Sequence, residues 1–379
     1  MPNTSYWENQ TYFSPQDIVI IGSGFCGLWS AYHLIQKNAA LKITIIERGI
    51  IPTGASTKNA GFSCFGSPSE LLHDAATMGE NNMWNLVKMR YDGLQKIQTT
   101  FNHTLFDYDA CGGYECFAEN SADWNLVESK LAWLNNGLAS ITGIPETFTI
   151  ANEKIKTFGF SHFSHLIENT LEGGLQPAKL VQALCKAVQQ AGVQIITGVE
   201  VIDYVEKTNA VTIHTKNGID FTASQLLICT NAFTKALLPT TDIAPCRGQV
   251  FITEPIKNLA LKGTFHFDEG YYYFRNVGNQ LLIGGARNAA FDAETTTEMD
   301  TSQIIQQALE AFSKRHLLPN IPFNIANRWS GIMAMGSEKM PLCSALSSNV
   351  FCCVRMSGMG VALAPVVADH ISSLMLGKN

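Results

Sequence analysis

The residues whose types and spacing point most directly to chemistry are Gly22, Gly24 and Gly27, with Glu47 following 20 positions after the last of them. They sit in the run Asp17-Ile18-Val19-Ile20-Ile21-Gly22-Ser23-Gly24-Phe25-Cys26-Gly27. Gly22 permits a tight turn, Gly24 lets the backbone approach a pyrophosphate, and Gly27 lets a helix lie close against the preceding strand. The free N–H groups and positive dipole end of that helix suit phosphate oxygens. Glu47 is placed to accept hydrogen bonds from ribose hydroxyls. The chemistry this pattern predicts is capture of a dinucleotide.

Glycines at this spacing also occur by chance in loops, so the surrounding elements decide. Ile18 to Ile21 is an unbroken apolar run and reads as a strand buried on both faces. Leu28, Ala31, Tyr32, Leu34 and Ile35 then recur with helical period, and Ile43 to Ile46 is a second apolar strand ending at Glu47. A strand, helix, strand and acidic end together form the βαβ unit that the motif needs. A glycine-rich turn that only packs a helix on a strand leaves Glu47 unexplained.

The segment from Arg48 to Phe62 is small and polar between strongly structured neighbours and reads as a loop over the carboxyl end of the sheet. Its small residues allow close approach to a flat ligand, and Ser56, Thr57 and Asn59 offer hydrogen bonds. At the other end of the chain, Val350 to Met356 reads as a buried strand, Ser357-Gly358-Met359-Gly360-Val361 as a glycine-rich turn and Val361 to Leu376 as a helix. This second strand–turn–helix presents N–H groups to an electron-rich ligand edge.

Between these ends, residues 69–100 and 122–140 read as helices, 105–118 as a hairpin and 141–176 as loop-rich chain. Ala178 to Ala191 is an amphipathic helix, residues 199–221 a small β-meander, and Leu226 to Ala232 another buried strand. Residues 240–290 are rich in short alternating strands, which suggests an antiparallel sheet, and a helix is expected over 300–315.

Composition narrows the classes further. The chain has 379 residues, 46% hydrophobic and 15% charged, enough for about two domains with large cores. With net charge -6 and no Lys/Arg block, nucleic acid is not an expected partner. No apolar run reaches the roughly 18 residues that suggest a transmembrane helix, and the start of the chain lacks signal-peptide character, which points to the cytoplasm. The ten cysteines form no CxxC pair and read as reduced, buried small hydrophobes. No metal motif is evident; His162-x-x-His165 stands alone and reads as structural.

Taken in order, these stretches resemble the D-amino-acid-oxidase-like family of FAD-dependent oxidoreductases. The markers are Gly22-x-Gly24-x-x-Gly27 with Glu47, Gly54 to Phe62, Gln176-Pro177, Thr230-Asn231-Ala232 and Arg247-Gly248-Gln249. They continue with Tyr273-Phe274-Arg275, Ile283-Gly284-Gly285, Arg328-Trp329-x-Gly331, Lys339-x-Pro341 and Ser357 to Pro365. Tyr6-Trp7 and Phe25 to Trp29 look most like the γ-glutamylputrescine-oxidase-like branch of this family, which also includes glycine and sarcosine oxidases. The resemblance implies an α/β (α+β) chain: a Rossmann-like FAD-binding domain from residues 1–90, 165–235 and 325–379, and an antiparallel-sheet substrate domain from 91–164 and 236–324.

It also implies roles. Gly22, Ser23, Gly24 and Gly27 hold the pyrophosphate, with Phe25 and Cys26 beside them, and Glu47 takes the adenosine ribose. Arg48, Val201, Thr230 and Asn231 belong to the same cofactor surface, with the Val201 backbone toward the adenine. Ala55, Ser56, Thr57, Lys58, Asn59 and Gly331 line the flavin side. Gly358, Met359, Gly360 and Val361 lie at the pyrimidine edge, where charge develops on reduction.

The reaction implied is hydride transfer from a carbon bearing an amine, with hydrolysis of the imine and reoxidation by oxygen or another acceptor. Lys58 and Lys339 are candidate cations near the flavin, Tyr272 or Tyr273 can face the substrate, and Arg275 is a candidate substrate contact. His266 reads as structural. Gly331 to Gly336 lacks the arginine that amino-acid oxidases of the family often use for a substrate carboxylate, which favours an amine or N-substituted substrate. Cys343 lies past the position of covalent flavin attachment, so the FAD is expected to be non-covalent. The alternatives are a dehydrogenase of an amino or hydroxy acid with a non-oxygen acceptor, and a non-catalytic flavin-binding accessory protein.

Overall fold

A computed structural model describes residues 3–119 and 121–377. The apolar run that carries the glycine motif forms the strand Gln16–Ile21, which lies between two parallel neighbours. Ile18 stands opposite Ile43 of Ile43–Ile46 on one side and Gln225 of Phe221–Ile228 on the other. Gln194–Ile196 extends the sheet beyond Ile43–Ile46, and Val350–Val354 and then Leu342–Ala345 extend it beyond Phe221–Ile228. The meander Val201–Lys207, Ala210–Thr215 completes this first sheet. Val19, Ile20, Leu226 and Leu227 are fully buried, as an inner parallel strand with helices on its faces requires.

Three helices pack as a group on this sheet: Phe25–Lys37, Glu80–Thr100 and Gly360–Met375. Gly93 is the reason the last two can cross closely, because a Cβ there would lie 1.8 Å from the Ala362 carbonyl oxygen. The helical stretch expected over 69–100 is two helices, Pro68–Met78 and Glu80–Thr100, divided at Gly79, whose φ of +85° ends the first.

The second sheet runs Ile325–Met335, Ala244–Thr253, Gln280–Gly285, Tyr272–Val277, Thr264–Phe267, Gly113–Phe117, His165–Asn169, Phe148–Ile150. All its pairings are antiparallel except that of Thr264–Phe267 with Gly113–Phe117. One face buries Phe251, Phe265, Phe274 and Ile283 beneath the helix Gln303–Phe312. The opposite face carries a cross-strand row in which His266 stands opposite both Glu115 and Tyr273, and Tyr273 opposite Gly284.

Sheet membership differs from the expected segment boundaries. Ile325–Met335 pairs along its length with Ala244–Thr253, so this stretch belongs to the second sheet. His165–Asn169 pairs with Gly113–Phe117 and belongs there too. Residues 91–100 continue a helix that packs on the first core. Each difference comes from pairing between distant segments, which local periodicity does not encode. For the same reason 105–118 is no hairpin: a short helical turn, His103–Leu105, leads to the strand Gly113–Phe117, whose partners lie far along the chain. The region 141–176, expected to be loop-rich, contributes two strands and a short helix to this unit. Among the described residues, no helix is long and apolar enough to cross a membrane.

Candidate active site

The glycine motif is a backbone-to-backbone contact. Gly22 has φ +103°, and a Cβ there would lie 2.8 Å from the Cys229 carbonyl oxygen; a Cβ on Gly27 would lie 2.0 Å from the Gly22 carbonyl oxygen. The helix Phe25–Lys37 therefore starts directly against the strand end, with its first-turn amides at the carboxyl edge of the sheet. The Ser56 hydroxyl accepts the Phe25 N–H at 2.9 Å and ties the loop to that helix start.

Glu47 is buried and firmly held. Its Oε2 accepts the Ser23 N–H at 3.0 Å and the Ser23 hydroxyl at 2.8 Å, and its Oε1 accepts the Gly49 N–H at 2.9 Å. A carboxylate has about four acceptor sites, so roughly one remains for a ribose hydroxyl. The Arg48 guanidinium stacks 3.7 Å over the Phe233 ring beside it.

These groups open into a cavity of about 1120 Å³ between the two sheets. Gly22, Gly24, Phe25, Cys26, Glu47 and Arg48 line one part of it, together with Val201, Thr230 and Asn231. Ala55, Ser56, Lys58, Asn59 and Gly331 line another part, as do Gly358, Met359, Gly360 and Val361. Of the expected cofactor residues, Ser23, Gly27 and Thr57 stand behind the wall. Ser23 orients Glu47, Gly27 gives the helix its close approach, and Thr57 closes its own loop by donating to the Pro52 carbonyl at 2.7 Å. The loop is braced from the second sheet, where Trp329 Nε1 donates to the Lys58 carbonyl at 2.9 Å. A Cβ on Gly331 would come within 3.0 Å of the Lys58 Cβ. The glycine cradle and the firmly held acceptor fit a dinucleotide cofactor.

At the end roofed by the second sheet, Tyr273 faces the cavity, whereas Tyr272 stacks on Phe312 in the core at 4.3 Å. Gly284 makes room for the Tyr273 ring, since a Cβ there would lie 2.4 Å from it. Burial pushes the Tyr273 phenol up to about 12, so it remains a proton donor at neutral pH. Met333 bridges the roof to the glycine turn: its Cε would lie 3.3 Å from a Cβ on Gly248 and its Sδ 3.5 Å from one on Gly358.

Two expected catalytic residues are otherwise engaged. Arg275 lies outside the cavity lining and donates to the carbonyls of Gly61, Leu175 and Asn276. It clamps chain segments together behind the cavity wall. Lys339 does line the cavity, but its ammonium meets Asp74 Oδ2 at 2.6 Å, Asp74 Oδ1 at 2.9 Å and Glu70 Oε1 at 2.7 Å. Glu70 also accepts from Arg90 at 3.0 Å. Burial alone would raise the Glu70 carboxyl, yet Arg90 and Lys339 outweigh it and hold the group well below the usual carboxylate range. This ionic network of two acids and two bases lines the cavity and carries no surplus cation.

A cation on the cavity wall comes instead from a turn that follows another strand. Arg287 follows the end of Gln280–Gly285 and lines the cavity near Tyr271, Tyr273 and Gly248. Its Nη1 lies 3.2 Å from Cys246 Sγ and its Cζ 4.7 Å from the Phe291 ring centre. Among the described residues, no carboxylate pairs with it, unlike Arg90, Arg247, Arg328 and Arg355. Sequence reasoning missed Arg287 and the Glu70–Asp74–Arg90 group; nothing local in Gly285-Ala286-Arg287 signals that this turn meets the cavity.

The sequence pattern of the family described as FAD dependent oxidoreductase matches residues 17–374. The chain belongs to this family. Among FAD-dependent oxidoreductases, it is 24% identical over 374 residues to a probable oxidoreductase OrdL of Rhizobium meliloti (strain 1021), covering 96% of this chain and 83% of that protein. It is 22% identical over 376 residues to the γ-glutamylputrescine oxidoreductase of Escherichia coli (strain K12), covering 95% of this chain and 84% of that one. The same fold occurs in the L-proline dehydrogenase of P. horikoshii (TM-score 0.77, 16% identity, 97% of this chain and 95% of that one). It occurs likewise in the glycine oxidase of Bacillus cereus ATCC 14579 (TM-score 0.76, 19% identity, 96% of each chain). The chain is therefore an FAD-dependent oxidoreductase with amine- and amino-acid-oxidising relatives.

Proposed function

We propose that this enzyme oxidises the C–N bond of an amine that also carries an anionic group, an amino acid or a carboxylated amine, with FAD held non-covalently. The observation that carries this reading is Arg287, a half-buried guanidinium on the cavity wall beside a thiol and an aromatic face, with no carboxylate partner among the described residues. A carboxylate completes such a group through charge-assisted hydrogen bonds. FAD, when bound, supplies the acceptor for the hydride that leaves the substrate carbon. The chain's own part is to bind and orient. Arg287 takes the anionic group, the Tyr273 phenol offers a proton donor, and Met333 limits how far the substrate can slide toward Gly358.

Non-covalent attachment is supported by Cys343, which stays outside the cavity lining with its thiol 3.6 Å from the Val367 carbonyl. Lys58, on the wall between the loop and Gly331, is the better placed of the two lysines to stand as a free cation beside the cofactor. Among the described residues the cysteines are free thiols, which fits a reducing, cytoplasmic setting.

The test is an anaerobic titration of the yellow protein, followed in the visible flavin band, with amino acids and the amines left when their carboxyl groups are removed. Bleaching confined to carboxylated members is expected, and equal bleaching by both members of a pair would remove the anion-binding role. Oxygen uptake with the same substrate separates an oxidase from a dehydrogenase that passes its electrons to a carrier.

A further inference from the structure

Behind the roof of the cavity lies a second, much smaller void of about 10 Å³, roughly the room of one water molecule. Among the described residues, His266 is the one that lines both. Its Nδ1 would lie 3.7 Å from a Cβ on Gly270, which is on the wall of the large cavity. Its Nε2 is enclosed and meets no hydrogen-bond partner among the described residues. The small void is also lined by Glu115, Glu172 and Asn169, which are 1%, 3% and 3% exposed. Asn169 Nδ2 likewise meets no partner among the described residues. Two orphaned nitrogens and two carboxyl groups around a space of this size are what a buried water needs, since such waters make two to four hydrogen bonds. Strand pairing fixes the arrangement, because His266 stands between Glu115 and Tyr273 in register across the sheet.

We propose that His266, through one water held in this void, relays protons between the substrate cavity and the buried pair Glu115 and Glu172. The charges around the relay are balanced in a way that suits it. Glu70 and Arg90 face His266 from the helices below, Asp74 and Lys339 are paired with each other, and Phe62 stands edge-on to the imidazole. Burial lowers His266 to about 4, outweighing the pull of Glu70, so the ring is neutral at pH 7 with one nitrogen free to accept. Burial raises Glu115 to about 7 and Glu172 to about 8, against the hydrogen bonds each accepts from backbone or serine donors. Two acids that titrate near neutrality can exchange protons without a large energetic penalty. The thiol of Cys64 and the phenol of Tyr273, both near 12, stay protonated and take no part.

The step moves protons only. A substrate ammonium gives one proton to His266 Nδ1 while Nε2–H passes its own to the water. The water hands one on to whichever of the two carboxylates is ionised. The amine is left neutral, as oxidation at its carbon requires, the histidine has exchanged one tautomer for the other, and no electrons move. Return of the proton by the same route restores the starting tautomer. The use of this relay in turnover rests on the amine-oxidation reading; its existence does not.

The deciding experiment therefore needs no substrate. Infrared spectra of the FAD-loaded protein at pH 6 should show the C=O stretch of protonated buried carboxyl groups, assigned by its loss in Glu115→Gln and Glu172→Gln. On rapid dilution into D2O the band should shift with deuteration, and His266→Gln should slow that shift at least tenfold. His266→Leu serves as a second variant, with retained flavin colour as the check on folding. Absence of both bands at pH 6, or an unchanged exchange rate in the His266 variants, would overturn the relay. With a substrate in hand, His266→Gln should bleach about tenfold more slowly at pH 7 yet match the wild type at pH 10, where the amine arrives neutral. Equal slowing at every pH would mark His266 as merely structural. If no amine bleaches the protein, the amine-oxidation reading fails while the exchange measurement still decides the relay.

Discussion

Lys339 shows what a single side chain can hold in place. Its ammonium is the shared partner of Asp74 and Glu70, both drawn into the cavity wall. Removing one member of a buried ionic group leaves the others uncompensated, at a cost of about 3–5 kcal/mol. Lys339→Ala should lose about that much in urea unfolding of the loaded protein, and Lys339→Ala with Asp74→Asn should lose less than the two changes summed. If Lys339→Ala is as stable as the wild type but inactive, the lysine belongs to the chemistry after all. Arg287 is the opposite case, a cation with no carboxylate partner among the described residues, held by contacts to Cys246 and the Phe291 ring. Arg287→Gln should cost no more than about 1 kcal/mol of stability, the scale of its contact with the Phe291 ring. It should raise KM for a carboxylated substrate about 10- to 160-fold, the range of a charge-assisted bond of about 1.5–3 kcal/mol. Steady-state kinetics on matched substrates checks both halves.

Helices and strands differ in how much of their role was legible. Gly22, Gly24, Gly27 and Glu47 were readable because every part of that site lies within one βαβ stretch. Its geometry is local: a strand end, a turn and a helix start. Gly27→Ala should push the helix Phe25–Lys37 off the strand and give a colourless protein, because its Cβ would fall 2.0 Å from a carbonyl oxygen. The roof was not readable in the same way. The row Glu115, His266, Tyr273 comes from three strands, the first of which lies about 150 residues before the other two. Arg275 looked like a substrate contact because its carbonyl partners, at Gly61 and Leu175, are invisible in its own strand. Gly93 is a similar case, an unremarkable residue in a helical run until Ala362 lies against it. Gly93→Ala should cost about 1–3 kcal/mol, the usual range for overpacking a tight contact, as read from the thermal midpoint of the loaded protein.

At the level of the whole molecule, the buried acids give stability an uneven response to pH. Glu115 and Glu172 ionise near 7 and 8 when folded, against 4.5 for an ordinary carboxyl. Between those values the folded chain holds protons that the unfolded chain has released, so stability falls as pH rises through the window and levels off above about pH 8. Glu70 works in the other direction, because its carboxyl is held below its usual value and its contribution is lost as pH falls through the acid range. His266, which burial keeps neutral down to about 4, offsets part of the fall with rising pH below about pH 6.5, so the thermal midpoint should decline most clearly between about pH 6.5 and 8. Glu172→Gln should flatten that decline, and an unchanged slope would show that Glu172 is ionised in the folded protein.

Arg287 stands on a three-residue turn, Arg287–Ala289, entered through Ala286 at a φ of +57°. The groups around Glu47, by contrast, are tied through strands, a helix start and three hydrogen bonds. In evolutionary terms the two ends of the cavity are decoupled. A lineage can exchange the charge that greets a substrate by altering one side chain on a rim turn, and the hold on the nucleotide does not change. Relatives with this fold can therefore be expected to diverge in diet faster than in cofactor.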